Sequence, residues 1–393
     1  MKIVSVAQMQ AIEKSADAGG LSYDQMMHNA GEGIAAWLHD HLPLPHSVLG
    51  LVGSGNNGGD TLIALTTLAR RGIRTMAFLA KNRGEDPLVS SYLEIGGQVI
   101  DLSQKENMDL FNAAISPGTI ILDGILGTGL RLPLRGLLKE VMAEVQKAVK
   151  KRPGALVVAV DCPSGMDCDT GEVSEVILKA AHTLCMAAIK QGLLKQPGRE
   201  VTGQLHWIGI GLTDIHNHIT DPLSEMIHEE RVRKSMPERP SSGHKGTFGT
   251  CQVVAGTKVF TGAAYLAGKA AYRAGCGLVD IASLPIVHKC LAGTLVEAVW
   301  TVLPEMSEGY APEAAKILAG KLKHVDSLII GPGFGLAEST EAFVHQLTEK
   351  IPNECPVVID ADGLKLLSRL ERWWEKLPEQ VILTPHPGEM AVL

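Results

Sequence analysis

Three short stretches of this chain combine glycine with amides or acids in patterns that suit chemistry. The first, residues 51–60, reads Leu-Val-Gly-Ser-Gly-Asn-Asn-Gly-Gly-Asp. An apolar strand running into a glycine-rich loop that opens an amphipathic helix is a phosphate cradle. Glycines let the backbone approach a ligand, and the free N–H groups and dipole of the helix attract an anion. Asn56, Asn57 and Asp60 add side chains able to orient a ribose, a nicotinamide or a metal ion. The second stretch, residues 123–131, places the carboxylate of Asp123 at a strand end, followed by a glycine turn, Gly127-Thr128-Gly129-Leu130-Arg131. The third, Asp161-Cys162-Pro163-Ser164-Gly165, puts Asp161 at a strand tip with Pro163 stiffening the turn, where an acid/base group belongs. A lone strand-end aspartate serves as often to cap the next helix; three such loops together favour a site. The hard oxygens of Asn57, Asp123 and Ser164 also suit a monovalent cation, although spacing alone does not name the ion. Lys190 is a weaker acid/base candidate, since a lysine near a site is more often a solvated surface charge.

The elements that must position these loops follow from hydrophobic periodicity. Two helices are predicted over residues 6–40, with Met27, Ala30, Ile34 and Leu38 forming a core-facing stripe. Strands are expected at 48–52, 75–80, 98–102, 119–122, 156–160, 182–186 and 204–208, most of them separated by helical segments. That alternation implies parallel strands with right-handed crossovers in a doubly wound sheet, with ligands at the carboxyl ends of the strands. A polar stretch from about 214 to 243, containing His216 and His218, interrupts the pattern; these histidines lack metal-ligand partners at suitable spacing and read as solvated loop residues. A second α/β run has expected strands at 250–255, 277–282, 327–330, 356–359 and 381–383. The division is therefore 1–215, a linker at 216–243, and 244–393, with no internal repeat between the halves.

Composition narrows the function. The chain has 393 residues, 45% of them hydrophobic, and a formal net charge of −7, which supports a two-domain globular enzyme with local donors for any anion and argues against nucleic acid. Seven cysteines without a paired spacing suggest neither a disulfide framework nor zinc, so a reducing, cytoplasmic setting is expected. No segment approaches the roughly 20 apolar residues of a membrane span. A homo-oligomer is left open.

With these motifs in view, residues 1 to about 215 resemble the NAD(P)HX epimerase domain known as YjeF N-terminal, a Rossmann-like three-layer α/β fold. The resemblance rests on Asn56-Asn57-Gly58-Gly59-Asp60, Leu126-Gly127-Thr128-Gly129-Leu130, Asp161-Cys162-Pro163-Ser164-Gly165 and Gly203-Gln204-Leu205. It implies that Asn56 to Asp60, Gly127 to Arg131 and Asp161 bind hydrated NADH or NADPH, that Asn57, Asp123 and Ser164 hold potassium, and that the C6 epimers are interconverted with Asp161 as acid/base. His28 stands where that family commonly has Glu, and Thr61 where Gly is usual. The segment His244-Lys245-Gly246-Thr247-Phe248-Gly249, together with Gly331-Pro332-Gly333-Phe334-Gly335, Asp360-Ala361-Asp362-Gly363 and Thr384-Pro385-His386-Pro387-Gly388-Glu389, is similar to the ribokinase-like NAD(P)HX dehydratase family. By that resemblance Ala263, Gly333 and His386 contact the hydrated nucleotide, and ADP or ATP is consumed. No G-x-G-D, the anion hole of that family, occurs between Lys245 and Leu393, so the second domain is read as incomplete and its dehydratase activity is expected to be lost. The competing readings are a non-catalytic nucleotide-binding module and a ribokinase-like small-molecule kinase. A dehydrogenase is disfavoured because the first loop does not fit G-x-G-x-x-G.

Overall fold

The structure is a computed structural model of the whole chain. It describes every residue except 43–46, 131, 213, 219–223 and 308, together with the backbone alone of 216 and 217. Two compact units divide at Met236 and Pro237.

The first unit runs β1 (Lys2–Val4), α1 (Val6–Ala18), α2 (Tyr23–His41), β2 (Ser47–Val52), α3 (Asn56–Arg70), β3 (Thr75–Leu79), α4 (Pro87–Glu94), β4 (Gln98–Asp101), α5 (Asn107–Ala114), β5 (Thr119–Gly124), α6 (Gly136–Lys150), β6 (Leu156–Val160), β7 (His182–Met186), β8 (Ile189–Lys190), β9 (Gln204–Ile208), β10 (Ser224–Glu225) and α7 (Glu229–Ser235). Seven strands form one sheet in the order β4-β3-β2-β5-β6-β7-β9, and every pair is parallel. The central strands are apolar along their whole length because both faces are covered, the pattern of a buried parallel sheet. The chain winds outward from β2 to β4, then returns to β5 beside β2 and proceeds the other way. That reversal makes β2 and β5 the switch point, where a crevice opens at the carboxyl ends of the strands.

α1 begins with a capping box between Ser5 and Gln8, and its buried face is Met9, Ile12 and Ala16. The stripe on α2 is shifted by one residue from expectation. Met26 rather than Met27 is buried with Ala30, Ile34 and Leu38, whereas Met27 is only partly buried and packs beside the cradle, where a Cβ on Gly59 would meet its sulfur at 2.5 Å. A small sheet, β10-β1-β8, was not foreseen; its strands have only two or three residues, too few to show periodicity. It matters because Val4 pairs with Lys190. His218, expected to be solvated, is bonded through Nδ1 to Ser15 Oγ at 3.2 Å; the side chain of His216 lies outside the described residues.

The second unit runs β11 (Thr250–Val254), α8 (Thr261–Ala274), β12 (Leu278–Ser283), α9 (Pro285–Leu291), β13 (Val299–Val302), β14 (Glu305–Met306), β15 (Gly309–Tyr310), α10 (Ala314–Leu322), β16 (Ser327–Ile330), α11 (Glu338–Thr348), β17 (Val357–Ile359), α12 (Asp362–Leu367), β18 (Val381–Leu383) and α13 (Pro387–Met390). Its parallel sheet has the order β13-β12-β11-β16-β17-β18, again with a switch point, at β11 and β16. The edge strand β13 was missed: Val299 and Val302 are exposed, so only its inward residues carry a signal. One face of β11, β16, β17 and β18 borders an open apolar groove of about 740 Å³ lined by Phe248, Cys251, Ile329, Val358 and Ile382.

Candidate active site

The cradle forms where β2 ends. Gly53 N–H donates to Gly124 O at 3.0 Å, tying the loop after β2 to the end of β5. Arg83, from the loop after β3, donates Nη1 to the carbonyls of Gly53 and Gly55 and Nε to Asp86 Oδ2 at 2.6 Å, which sets a half-buried guanidinium behind the glycines. Gly58 is required by closeness, since a Cβ there would stand 2.0 Å from Gly53 O. Thr61, the departure from the glycine usual in the resembled family, is fully buried and donates Oγ1 to Asn57 O at 2.7 Å. A Cβ on Gly124 would lie 2.0 Å from that oxygen, so the glycine that ends β5 makes room for this threonine. His28, the other departure, is exposed on α2 and reaches Glu32 at 3.4 Å, away from any described site contact.

Behind the cradle the three predicted loops meet. Asn57 Nδ2 donates to Val160 O at 2.7 Å and to Leu126 O at 3.2 Å, which joins the ends of β2, β5 and β6 through one side chain. Ser164 N–H donates to Asp123 Oδ2 at 2.8 Å, and Ser164 Oγ accepts from Leu126 N–H at 2.8 Å. Asp123 and Ser164 are fully buried. Asp123 Oδ1 has no hydrogen-bond partner among the described residues. Burial raises the pKa of Asp123 against the opposing influence of Ser164 and of the Ile125 backbone. Gly127, Thr128 and Leu130 follow Leu126 and are partly exposed, and Gly129 is exposed; Arg131 lies outside the described residues.

Asp161 is held in the left-handed region at φ 64°, which aspartate tolerates better than most residues. Its N–H donates to Leu184 O at 2.8 Å. Its Oδ1 accepts from Met186 N–H at 3.0 Å and from Lys190 Nζ. Lys190 corrects the sequence expectation, for it is 1% exposed. Its ammonium also donates to Met186 O at 3.0 Å and Ala188 O at 3.4 Å. Burial alone would pull the lysine down, but the charge of Asp161 and their hydrogen bond outweigh it and hold the ammonium above its ordinary value. Asp60, in the first turns of α3, is also buried, and so is part of the wall of this site rather than only of the cradle. Glu13 on α1 joins the group electrostatically: burial raises its pKa, with Lys190 opposing and Asp161 adding. Sequence reasoning passed over Glu13 because it sits within an ordinary amphipathic helix; the small β1-β8 pairing is what brings α1 to Lys190.

In the second unit, Gly256 N–H donates to Pro332 O at 2.8 Å and Thr257 Oγ1 to Gly333 O at 3.0 Å. Gly333, at φ 70°, lies against Ala263, whose Cβ would be 2.8 Å from a Cβ placed there. These two predicted residues are thus together at the β11/β16 switch point. His386 lies beyond β18 at the same carboxyl edge, exposed, and its Nδ1 caps α13.

Two α/β units with parallel sheets, the first with a glycine cradle at its switch point and a buried acid–ammonium pair at the end of the neighbouring strand β6, define the class: an α/β enzyme acting on a nucleotide-like small molecule. Residues 23–192 match the family described as YjeF-related protein N-terminus, and residues 251–393 match NAD(P)H-hydrate dehydratase. Among curated relatives, the bifunctional NAD(P)H-hydrate repair enzyme Nnr of Moorella thermoacetica is 32% identical over all of this chain and 75% of its own length. The enzyme of the same description from Escherichia coli is 31% identical over 97% of this chain and 69% of its own. An ADP/ATP-dependent NAD(P)H-hydrate dehydratase from Bacillus subtilis, co-crystallised with ATP/Mg2+, is 33% identical over 41% of this chain and 52% of that one, with a TM-score of 0.31. The chain belongs to the family of bifunctional NAD(P)H-hydrate repair enzymes. Among the described residues no helix is long and apolar enough to cross a membrane.

Proposed function

We propose that the first unit interconverts the R and S epimers of hydrated NADH and NADPH, and that the second binds the same hydrated nucleotides. The observation that carries the first assignment is the buried Asp161–Lys190 pair at the end of β6, beside a cradle built to hold phosphate. In the hydrate, C6 of the nicotinamide ring bears both the ring nitrogen and a hydroxyl. Inversion there needs the C6–O bond to break, with electrons from N1 forming a cationic ring, and water to add to the other face. That sequence calls for a proton to be supplied to the leaving oxygen and one to be removed from the entering water. Asp161, fixed by Lys190 and Met186 N–H, is the base in this reading. Asn56 to Asp60 and Gly127 to Arg131 hold the nucleotide, and the helix start at Asn56 contributes its N–H groups to the pyrophosphate. Ala263, Gly333 and His386 are assigned to the substrate in the second unit.

Asn57, Asp123 and Ser164 are assigned to potassium. The fit is supported by the unpartnered, buried Asp123 Oδ1 and by the carbonyls of Leu126 and Val160, which converge on the Asn57 amide. With that amide turned over, Asn57 Oδ1 would stand against those two carbonyls, oxygen donors that suit a hard cation rather than a transition metal. A bound cation would supply positive charge that neutralises Asp123 and locks the three loops. A cytoplasmic setting is part of the same reading.

The test is to incubate the purified chain with R-NADHX and potassium, with and without ADP, and to resolve both epimers and NADH by chromatography. The S epimer is expected, and Asp161→Asn should abolish it; no interconversion would overturn the epimerase assignment. NADH formed only with ADP would overturn the expected loss of the dehydratase activity.

A further inference from the structure

The site holds a second carboxyl whose surroundings are opposite to those of Asp161. Asp161 Oδ1 accepts two hydrogen bonds, one from Met186 N–H and one from the Lys190 ammonium. Asp60 is 6% exposed, yet among the described residues its carboxyl makes no hydrogen bond and no ion pair. The cause is positional. Asp60 follows Gly58 and Gly59 on α3, the hydroxyl of Thr61 after it donates to Asn57 O, and Lys190 is spent on Asp161, Met186 O and Ala188 O.

A carboxylate left in that state would lose most of its hydration with no protein donor in exchange. The resolution is a proton. Burial is the largest effect holding Asp60 well above the ordinary carboxylate range; the negative charge of Asp161 adds to it, Lys190 opposes it, and Glu13 adds again. One ammonium shared among three carboxyl groups leaves two of them without a counter-charge, and Asp60 is the most deeply buried of those two. A pair of carboxyls whose environments push their protonation apart marks an acid and a base.

We propose that Asp60 is the acid partner of Asp161 in the epimerisation, delivering its proton to the C6 hydroxyl of the hydrated nicotinamide. This rests on the epimerase reading above. The step balances: the Asp60 proton and the C6 hydroxyl leave together as water, the N1 lone pair forms the bond to C6 that the oxygen gives up, and Asp60 is left as a carboxylate facing the cationic ring. A water then adds to the opposite face and its proton passes to Asp161. Proton exchange between the two carboxyls and solvent restores the starting state, and because either face can lose water first, the same pair serves both directions. An ionised Asp60 could not start the cycle, so the basic limb of the rate profile belongs to it, with Asp161, Lys190 and Glu13 as the charges that set its position.

The experiment uses Asp60→Asn in the full chain, with R-NADHX and potassium. The amide keeps the shape and removes a group that makes no hydrogen bond, so the melting temperature is expected to be unchanged or higher. kcat should fall by about 10²- to 10⁴-fold, the range of a lost acid catalyst, with KM altered much less. Asp60→Glu should recover part of kcat with a shifted basic limb. In wild type, the Asp60 side-chain carboxyl carbon, assigned by its loss in the variant, should give the NMR shift of a neutral acid at pH 7. kcat within about threefold of wild type in Asp60→Asn, or an ionised Asp60 signal at pH 7, would overturn the proposal while leaving the epimerase reading intact. Absence of interconversion by the wild-type chain itself would instead overturn the reading on which it rests.

Discussion

Replacing Lys190 by Met tests the buried pair directly. Lys190 is 1% exposed and its ammonium serves Asp161, Met186 O and Ala188 O. Methionine fills the same space without the charge. Stripping one partner from a buried pair costs about 3–5 kcal/mol, because the other charge is stranded. A ceiling follows from the proton: an aspartate of ordinary pKa, about 3.9, can be neutralised at pH 7 for about 4 kcal/mol and at pH 5 for about 1.5 kcal/mol. The variant should therefore be destabilised by about 3–4 kcal/mol at pH 7 and by about 1.5 kcal/mol at pH 5. The sign follows from linkage. The folded variant holds a proton that its unfolded chain releases above pH 4, so its stability falls as pH rises through that interval. Urea unfolding of the first unit, followed by amide exchange in β6 and β7, reads the difference at the two pH values. Asp161→Asn combined with Lys190→Met should recover most of the loss, since no stranded charge remains. A loss below about 1 kcal/mol, or one equal at pH 5 and pH 7, would refute the claim that the two charges are held by each other.

Gly53→Ala should destabilise the first unit by more than about 3 kcal/mol and abolish epimerisation, because the added Cβ would lie 1.7 Å from Ile125 O and backbone must move to admit it; thermal unfolding and the epimer assay check both. Exchanging potassium for tetramethylammonium should lower the epimerisation rate, and Asp123→Asn should remove the ion dependence; a variant that responds to potassium as wild type does would exclude Asp123 as a ligand. His206, bonded to His182 across 3.0 Å, has its pKa lowered to about 4 by burial and by the neighbouring His182 and His41. A histidine depressed in the folded state contributes no penalty above pH 6.5 and costs stability as pH falls from there to about 4. With solvent screening of a half-exposed ring, the loss is about 1–2 kcal/mol, and His206→Gln should flatten the stability profile measured from pH 7 to pH 4.5.

The sheet strands of both units stand close to where periodicity placed them, because a strand buried on both faces is written as a continuous apolar run, as in residues 47–52 and 156–160. The edge strand β13 and the short strands of the small sheet escaped notice, since strands of two to four residues carry no readable period. The same limit moved the α2 stripe by one residue: Met26 and Met27 are chemically equal, and only packing against Gly59 separates them. Of the site, the sequence by itself determined the loops and their ligand types. Glycines that admit close backbone approach, and acids at strand ends, are local requirements that must appear in the chain at fixed spacing. Only the tertiary structure decided which charges are free. Lys190 reads as a surface lysine until β8, pairing with β1, carries it under the sheet's edge to Asp161, and Asp60 reads as one more cradle residue until that lysine is seen to be spent elsewhere. Protonation depends on burial and on the sum of nearby charges, and those are properties of what the fold brings together across more than a hundred residues of chain.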